Sequence, residues 1–103
     1  MIYEWDLEKA RANLRKHYVS FEEAATVFLD PLAITYRDPD HSDEEEREMT
    51  IGHSNRQRLL FISHCQRGDW IRIISARKAT RKERQQYEEG IGESGARRSS
   101  AGI

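Results

Sequence analysis

A strand-like segment that runs almost directly into a helix start is the feature that most constrains this fold. Residues 70–75 have the pattern of a β-strand, and a capping box then follows at Thr80-Arg81-Lys82-Glu83. The first turn of a helix leaves backbone N–H groups unpaired and carries the positive end of the helix dipole. Five cations surround this turn: Arg77, Lys78, Arg81, Lys82 and Arg84. The sequence therefore predicts a strand–helix junction that binds a phosphate or another anion.

The other segments predict an α+β domain in which helices pack on a small, twisted antiparallel sheet. Strands are expected at residues 2–5, 32–36, 47–53, 58–64 and 70–75. Helices are expected at residues 7–17, 21–28 and 81–89. Asp6 can cap the first helix, and Ser20 with Glu23 forms a capping box for the second. The order is β-α-α-β-β-β-β-α, and the last three strands are joined by links short enough for antiparallel hairpins.

A single domain accounts for most of the 103 residues. We expect this domain to occupy residues 1–89. Residues 90–103 are rich in glycine and serine and offer little to bury, so we expect a disordered C-terminal tail there. The acidic composition of residues 38–46 indicates a solvated loop.

Cysteine content and hydropathy indicate where such a protein resides. The one cysteine, Cys65, excludes an internal disulfide and fits a reducing compartment. No apolar run approaches the ~20 residues that cross a membrane, and the first residues lack the pattern of a signal peptide. We therefore expect a cytoplasmic protein with no membrane partner. The net charge of −1 combines acids concentrated at 38–48 with bases concentrated at 77–84, so local fields matter more than the total.

Residues suited to metal-free RNA cleavage gather near the junction. Such a reaction needs a base for the 2′-hydroxyl, an acid for the leaving oxygen, and cations for the charge that develops on the phosphate. Arg77 is the first candidate for the cationic role, and Arg72 could join it if its face of the sheet is open. Either could instead be ordinary surface charge. Glu83 could act as a base or only complete the capping box, and His17 could transfer protons or only cap its helix.

A second set of residues could contact the substrate. Lys9, Asn13 and His17 are spaced by four residues and share one helix face, which could bind phosphate or simply be exposed. Tyr87 lies one turn after Glu83 and could position a base or pack on the sheet. The predicted substrate-binding residues are Lys9, Asn13, Lys78, Arg81, Arg84 and Tyr87.

The remaining histidines suggest weaker hypotheses. His41 lies among aspartates, but ligands confined to one acidic loop favour a solvated loop over a metal site. No metal and no other cofactor is expected. His53 and His64 end neighbouring strands, so either could border the site. His64 and Cys65 are adjacent on one strand and should face opposite ways, which argues against a catalytic dyad.

Several short motifs, taken in order, resemble the BrnT family of bacterial toxins. The matching segments are EWD at 4–6, KH at 16–17, VSFEEA at 19–24, IGHS at 51–54 and RIISARKATRKE at 72–83. Asn13, Arg47 and Tyr87 match as well. The resemblance covers roughly residues 2–89, which leaves out only the expected tail.

The resemblance implies a fold like that of the RelE superfamily of messenger-RNA-cutting toxins, within a type II toxin–antitoxin system. The implied activity is metal-independent endoribonuclease action that arrests translation and growth. The implied partners are a ribbon-helix-helix antitoxin in a 2:2 complex, an RNA substrate met free or on the ribosome, and promoter DNA only through the antitoxin. The resemblance then implies that Arg77 is the main functional residue, followed by Glu83, Arg72 and the region of His17.

Three positions depart from the family pattern. Tyr18 stands where the family usually has glycine, so the first helix must end differently or with strain. Glu48 replaces an aromatic residue and would be costly if it faced the core without a partner. Gln57 occupies a turn position where glycine is common. These departures bear on local stability more than on family membership.

Two other functions fit the same residues. The basic junction could bind RNA, or only the antitoxin, without cleaving anything. The nearly neutral net charge indicates a narrow RNA footprint or delivery by a larger partner, because enzymes that act on bulk RNA are more often basic overall. A metal-dependent nuclease is the other alternative, and its activity would be lost in EDTA.

Overall fold

The computed structural model describes residues 2–37 and 47–90, in which helices pack on one five-stranded sheet. The strands are β1 Ile2–Glu4, β2 Ile34–Arg37, β3 Arg47–His53, β4 Leu59–Arg67 and β5 Trp70–Lys78. The helices are α1 Leu7–His17, α2 Phe21–Thr26, a 3-10 helix at Val27–Leu29, and α3 at residues 81–90. No helix in these two ranges is long and apolar enough to span a membrane.

Two expectations fall outside these ranges. The solvated loop predicted at 38–46, with His41, and residues 91–103 of the tail predicted at 90–103 are not among the described residues. Residue 90, where the tail was predicted to begin, is instead the last residue of α3. In the described ranges, no group of three or more His, Cys, Asp or Glu side chains is placed to hold a metal ion.

The strand order is β1-β5-β4-β3-β2, and the predicted α+β class is confirmed. Strands β3, β4 and β5 pair antiparallel, as the short links between them predict, and β2 also pairs antiparallel with β3. The edge strand β1 instead runs parallel to β5, with Ile2 opposite Trp70 and Glu4 opposite Arg72, so the sheet is mixed. Hydrophobic pattern does not set this direction, because β1 and β5 lie far apart in sequence and no hairpin joins them.

Side-chain alternation divides the sheet into two faces. On one face, Leu60, Ile62 and Ile73 pack with Val19 and Phe21 of the α1–α2 layer in the larger core cluster. On the other face, a smaller cluster of Ile51, Leu59 and Tyr87 joins the sheet to α3. We call this second side the open face, because α3 packs over only part of it.

The large apolar side chains of α1 are mostly exposed. Leu7 is 67% exposed and Leu14 is 49% exposed, whereas Ala10 packs against the core. The buried residue of this helix is polar Asn13. Helix α1 therefore contacts the sheet through one amide side chain as well as through apolar packing.

The three departures from the family pattern have different outcomes. Tyr18 ends α1 in the left-handed conformation, with φ 58°, so the backbone shape that suits glycine is kept although the residue differs. Gln57, in the turn between β3 and β4, also has a positive φ of 60°. Glu48 is half-buried on β3 rather than enclosed in the core.

A buried ionic network fastens α2 to the β3–β4 turn. Ser20 Oγ accepts the N–H of Glu23, which is half of the predicted capping box. The carboxylate of Glu23 does not close the box; it accepts bonds from the Arg58 guanidinium and from the Ser54 hydroxyl. Arg58 also donates to the carbonyl of Tyr18 at 3.0 Å, so one cation holds both the turn and the end of α1.

Candidate active site

The junction between β5 and α3 has the capping box that the sequence predicts. The Glu83 N–H donates to Thr80 Oγ1 at 3.1 Å, and the Thr80 N–H donates to Glu83 Oε1 at 2.9 Å. Both side chains satisfy N–H groups that the helix start would otherwise leave unpaired. Helix α3 therefore begins at a fixed position directly after β5.

Arg77 and Glu83 meet at this junction. Arg77 donates from Nη1 to Glu83 Oε1 and from Nη2 to Oε2, both at 2.8 Å. Its guanidinium carbon lies 4.4 Å from the centre of the Phe61 ring, the cross-strand neighbour of Arg77 on the open face. Nη1 also donates to the Lys78 carbonyl at 3.3 Å. Carboxylate and ring together fix the plane of the guanidinium.

This arrangement leaves one edge of the Arg77 guanidinium available. Of the five N–H donors of the group, those on Nη1 and one on Nη2 are used by Glu83 and Lys78. The Nε–H and the other Nη2–H have no partner among the described residues. These two donors share one edge of the planar group, which is the fork that binds two oxygens of a phosphate.

Electrostatics keeps both partners charged. Burial raises the pKa of Glu83, but bonds from Arg77 and from the Thr80 N–H outweigh burial and hold that pKa below its ordinary value. The pKa of Arg77 is raised, chiefly by its hydrogen bonds to Glu83. A carboxylate with a lowered pKa is a weak base, so while the pair is intact Glu83 is better suited to orienting Arg77 than to taking a proton.

The other cations of the junction face solvent. Lys78, Arg81, Lys82 and Arg84 are all exposed around the first turn of α3. They add positive charge around Arg77 without a fixed geometry, which suits contacts to the backbone of a nucleic acid. The predicted substrate-binding residues Lys78, Arg81 and Arg84 therefore lie beside the candidate site.

Asn13 is not available to a substrate. Its side chain is buried, donates to the carbonyls of Val19 and Ala76 at 2.9 and 2.8 Å, and accepts the Ala76 N–H at 3.1 Å. Strand β1 pairs only with residues 70–72 of β5, so the outer edge of β5 at Ala76 has no strand beside it. Asn13 supplies the bonds that a neighbouring strand would make, and it fixes the backbone next to Arg77.

Lys9 and His17 lie one turn before and one turn after Asn13 on the same face of α1. Because Asn13 contacts Ala76, this is the face of α1 that is turned toward β5. Lys9 is exposed and His17 is half-buried. Both remain candidates for the site.

Arg72 points to the open face, as its alternation with Ile71 and Ile73 predicts. It forms a loose ion pair with Glu4, at 3.7 Å across the parallel β1–β5 pairing. Arg72 and Arg77 are five positions apart, about 15 Å along β5. Strict alternation would place them on opposite faces, but a β-bulge at Ile74 in the β4–β5 pairing brings both to the open face. At this separation the two arginines cannot bind the same phosphate.

Tyr87 is 3% exposed and belongs to the core under α3 rather than to an open binding surface. Its hydroxyl donates to Asp30 Oδ2 at 3.0 Å and lies 3.2 Å from His53 Nδ1. The same carboxylate oxygen accepts the His53 N–H at 2.8 Å. Asp30 was not among the residues predicted from the sequence, where its only local signal is its place before Pro31.

His64 lies on the face away from Arg77. It is 2% exposed, its Nε2 is 2.7 Å from Thr50 Oγ1, and its ring meets Phe28 edge-on. Cys65 faces the opposite way, which agrees with the argument against a dyad. His64 therefore belongs to the core and does not border the candidate site.

The fold and the site define a small α+β domain with a clamped arginine at a basic strand–helix junction, a surface suited to phosphate. The chain belongs to the family described as "Ribonuclease toxin, BrnT, of type II toxin-antitoxin system", whose sequence model matches residues 5–83. This match confirms the family resemblance, and it makes an antitoxin the expected partner of the protein. No curated protein sequence matches the chain.

A solved structure shares the fold. The crystal structure of the Brucella abortus ribonuclease toxin BrnT, at 1.1 Å resolution, aligns with a TM-score of 0.61 and 21% sequence identity. The alignment covers 79% of this chain and 100% of the Brucella chain. At this identity the likeness establishes the architecture, and the roles of individual residues must be argued from their own geometry.

Proposed function

We propose that this protein is a metal-independent endoribonuclease toxin in which Arg77 binds the scissile phosphate. The observation that carries the proposal is the clamped guanidinium, held by Glu83 on one side and Phe61 below, with one two-donor edge left free. Because the chain belongs to a family of ribonuclease toxins, we infer that the phosphate bound by Arg77 is that of RNA.

In the proposed reaction the 2′-hydroxyl of RNA attacks the adjacent phosphorus and the 5′-oxygen of the next nucleotide leaves. One proton is removed from the 2′-oxygen and one is added to the leaving oxygen, so the products are a 2′,3′-cyclic phosphate and a 5′-hydroxyl. The free edge of Arg77 stabilises the charge that grows on the non-bridging oxygens. Lys78, Arg81 and Arg84 hold the flanking phosphates.

Glu83 and His17 have different roles in this scheme. Glu83 is a positioning residue, because its two oxygens are occupied by Arg77 and by the Thr80 N–H. His17 is our candidate for proton transfer, since imidazole serves this purpose most often and His17 is one turn from Asn13, which contacts Ala76 next to Arg77. Lys9, on the same helix face, would bring the RNA backbone toward that edge.

From the family, we further propose the partners of the protein and the cellular setting of its activity. The antitoxin is a ribbon-helix-helix protein, and since such proteins dimerise, the inhibited complex contains two toxins and two antitoxins. Promoter DNA is bound only through the antitoxin. Cleavage of messenger RNA, free or on the ribosome, arrests translation and growth, which places the activity in the cytoplasm.

The test in cells is growth arrest with and without the cognate antitoxin. Arg77→Ala should abolish arrest while the variant still co-purifies with the antitoxin, because the substitution removes the phosphate contact and leaves the fold in place. Arg15→Ala, which removes an exposed cation from α1, is the matched control and should arrest growth normally. Normal arrest by Arg77→Ala would refute the proposed role of Arg77.

A further inference from the structure

The open face of the sheet extends well beyond the Arg77 site. Helix α3 packs over one end of this face, on Ile34, Ile51 and Leu59. The rest of the face is formed by side chains that alternate with the core residues of β2 to β5. The face carries cations and aromatic rings with smaller side chains between them: Arg47, Arg72, Arg77, Tyr36, Trp70, Met49, Ser63 and Cys65.

Two arginines face each other across the middle of this face. Arg47 pairs in register with Cys65, and Cys65 pairs with Arg72, so the arginines stand on the two strands that flank β4. Their backbones are about 10 Å apart. Arg72 has one acidic partner, Glu4 at 3.7 Å, and the buried Nε of Arg47 has no hydrogen-bond partner in the described part of the chain. An unpaired, buried guanidinium N–H is costly.

Exposed aromatic rings flank these cations. Trp70 is 45% exposed at the start of β5, on the same face as Arg72 and two residues before it. Tyr36 is 37% exposed on β2, where its pairing with Met49 places it on the open face. A large ring left open to solvent beside a cation is how proteins stack a nucleobase and hold the phosphate next to it.

We propose that the open face is a track for single-stranded RNA, which runs from the scissile phosphate at Arg77, past Arg47 and Arg72, to a base stacked on Trp70. The inference rests on the proposed function and deepens it by naming the form of the substrate. The span from Arg77 to Trp70 is about 20 Å along β5, so only a strand several nucleotides long reaches both ends.

The shape of the face selects single strands. Stacking on Trp70 needs an unpaired base, whereas a duplex offers only its backbone and groove edges to a surface of this kind. Arginine suits the phosphates between the two ends because it stays charged and presents paired donors. The substrate is therefore an unstructured RNA segment. Because stacking tolerates any base, affinity depends weakly on base sequence and strongly on whether the RNA is single-stranded.

The test uses RNA that cannot be cut. A 12-nucleotide RNA with 2′-O-methyl groups lacks the attacking hydroxyl, so its affinity reports binding alone. Trp70→Ala should weaken binding roughly tenfold, whereas Trp70→Phe should keep most of the affinity because a ring remains. RNA should also quench the fluorescence of Trp70, while Trp5, packed edge-on against Phe21 on the other side of the sheet, should be unaffected. Thermal melting establishes that each variant is folded.

Salt dependence tests the arginines. Removal of a phosphate contact lowers the slope of log Kd against log salt by about 0.7 for a single strand. We expect this decrease for Arg72→Gln and no change for Arg15→Gln, which alters an exposed cation on α1. A dinucleotide RNA, too short to reach from Arg77 to Trp70, should bind the Trp70→Ala variant and the unaltered protein equally when anchored at Arg77.

Failure of this inference is distinguishable from failure of the proposed function. If folded Trp70→Ala binds the 12-nucleotide RNA normally, the track is refuted, even if Arg77 proves essential for cleavage. If RNA affinity is unchanged but antitoxin affinity drops, the face is a protein interface and the track is again refuted. If binding depends on Trp70 but natural RNA is never cut, the track stands and the catalytic proposal fails.

Discussion

Acidification should destabilise the fold through His64. This imidazole is buried between the sheet and Phe28, and burial lowers its pKa from 6.5 to about 4 because the charged form loses its hydration. Below pH 6.5 the unfolded chain binds a proton at His64 that the folded chain does not accept. Stability is therefore unaffected above that pH, falls as the pH decreases, and stops falling from this cause near pH 4.

The difference between the folded and unfolded pKa of His64 sets the magnitude. A pKa that differs by one between the two states corresponds to about 1.4 kcal/mol, so the complete loss is about 3 kcal/mol. Between pH 7 and pH 5 the two pKa values give a decrease of about 2 kcal/mol in the free energy of unfolding. The carboxylates with lowered pKa, such as Glu23 and Glu83, contribute stability that is lost mainly below their ordinary value of 4.5, outside this window.

The assay is urea denaturation at pH 7, 6 and 5. The protein should lose about 2 kcal/mol across the series, and His64→Gln should lose much less because its buried group does not titrate. His53→Gln, which removes a half-exposed imidazole, is the matched control and should keep the full dependence on pH. An equal loss in the His64→Gln variant and the unaltered protein would refute the reasoning.

Three substitutions test local parts of the structure by thermal and urea denaturation. Tyr18→Gly should stabilise the fold by about 1 kcal/mol, because glycine adopts the left-handed end of α1 without strain; destabilisation would contradict the helix end described. Arg58→Ala should cost about 3 kcal/mol by stranding the carboxylate of Glu23, whereas Arg56→Ala, at an exposed cation near the same carboxylate, should cost less than about 1 kcal/mol. Asn13→Ala should cost about 2 kcal/mol because it leaves the backbone of the β5 edge unpaired, and a neutral effect would show that the edge does not need it.

Local signals in the sequence predicted most of the elements. Asp6 marked the start of the helix at 7–17, and the Thr80–Glu83 capping box marked the start of the helix after β5. The left-handed end at Tyr18 was not predicted, because the residue there is not glycine. Such signals depend only on neighbouring residues, so contacts between distant segments do not change them. The grouping of Arg77 with Glu83 was predictable for the same reason, since the two are six residues apart across one fixed junction.

Contacts between distant segments were not predictable in this way. The parallel pairing of β1 with β5 and the burial of Asn13 against Ala76 both depend on how α1 crosses the sheet. Asn13 has the same sequence pattern whether it binds phosphate or caps a strand edge. The exposure of Trp70 likewise follows from its place as the first residue of β5, on the face that α3 covers only at its other end, and the apolar character of the residue does not reveal this.

Incubation of the purified protein with a defined RNA in EDTA is the most direct test of metal-independent cleavage at Arg77. We predict cleavage that leaves a 2′,3′-cyclic phosphate, loss of cleavage in Arg77→Ala, and reduced cleavage in Glu83→Gln, with Arg15→Ala fully active. The same assay with ribosomes added tests whether cleavage requires RNA that is bound to a ribosome. Cleavage that EDTA abolishes, or equal cleavage by folded Arg77→Ala and the unaltered protein, would contradict the proposed mechanism.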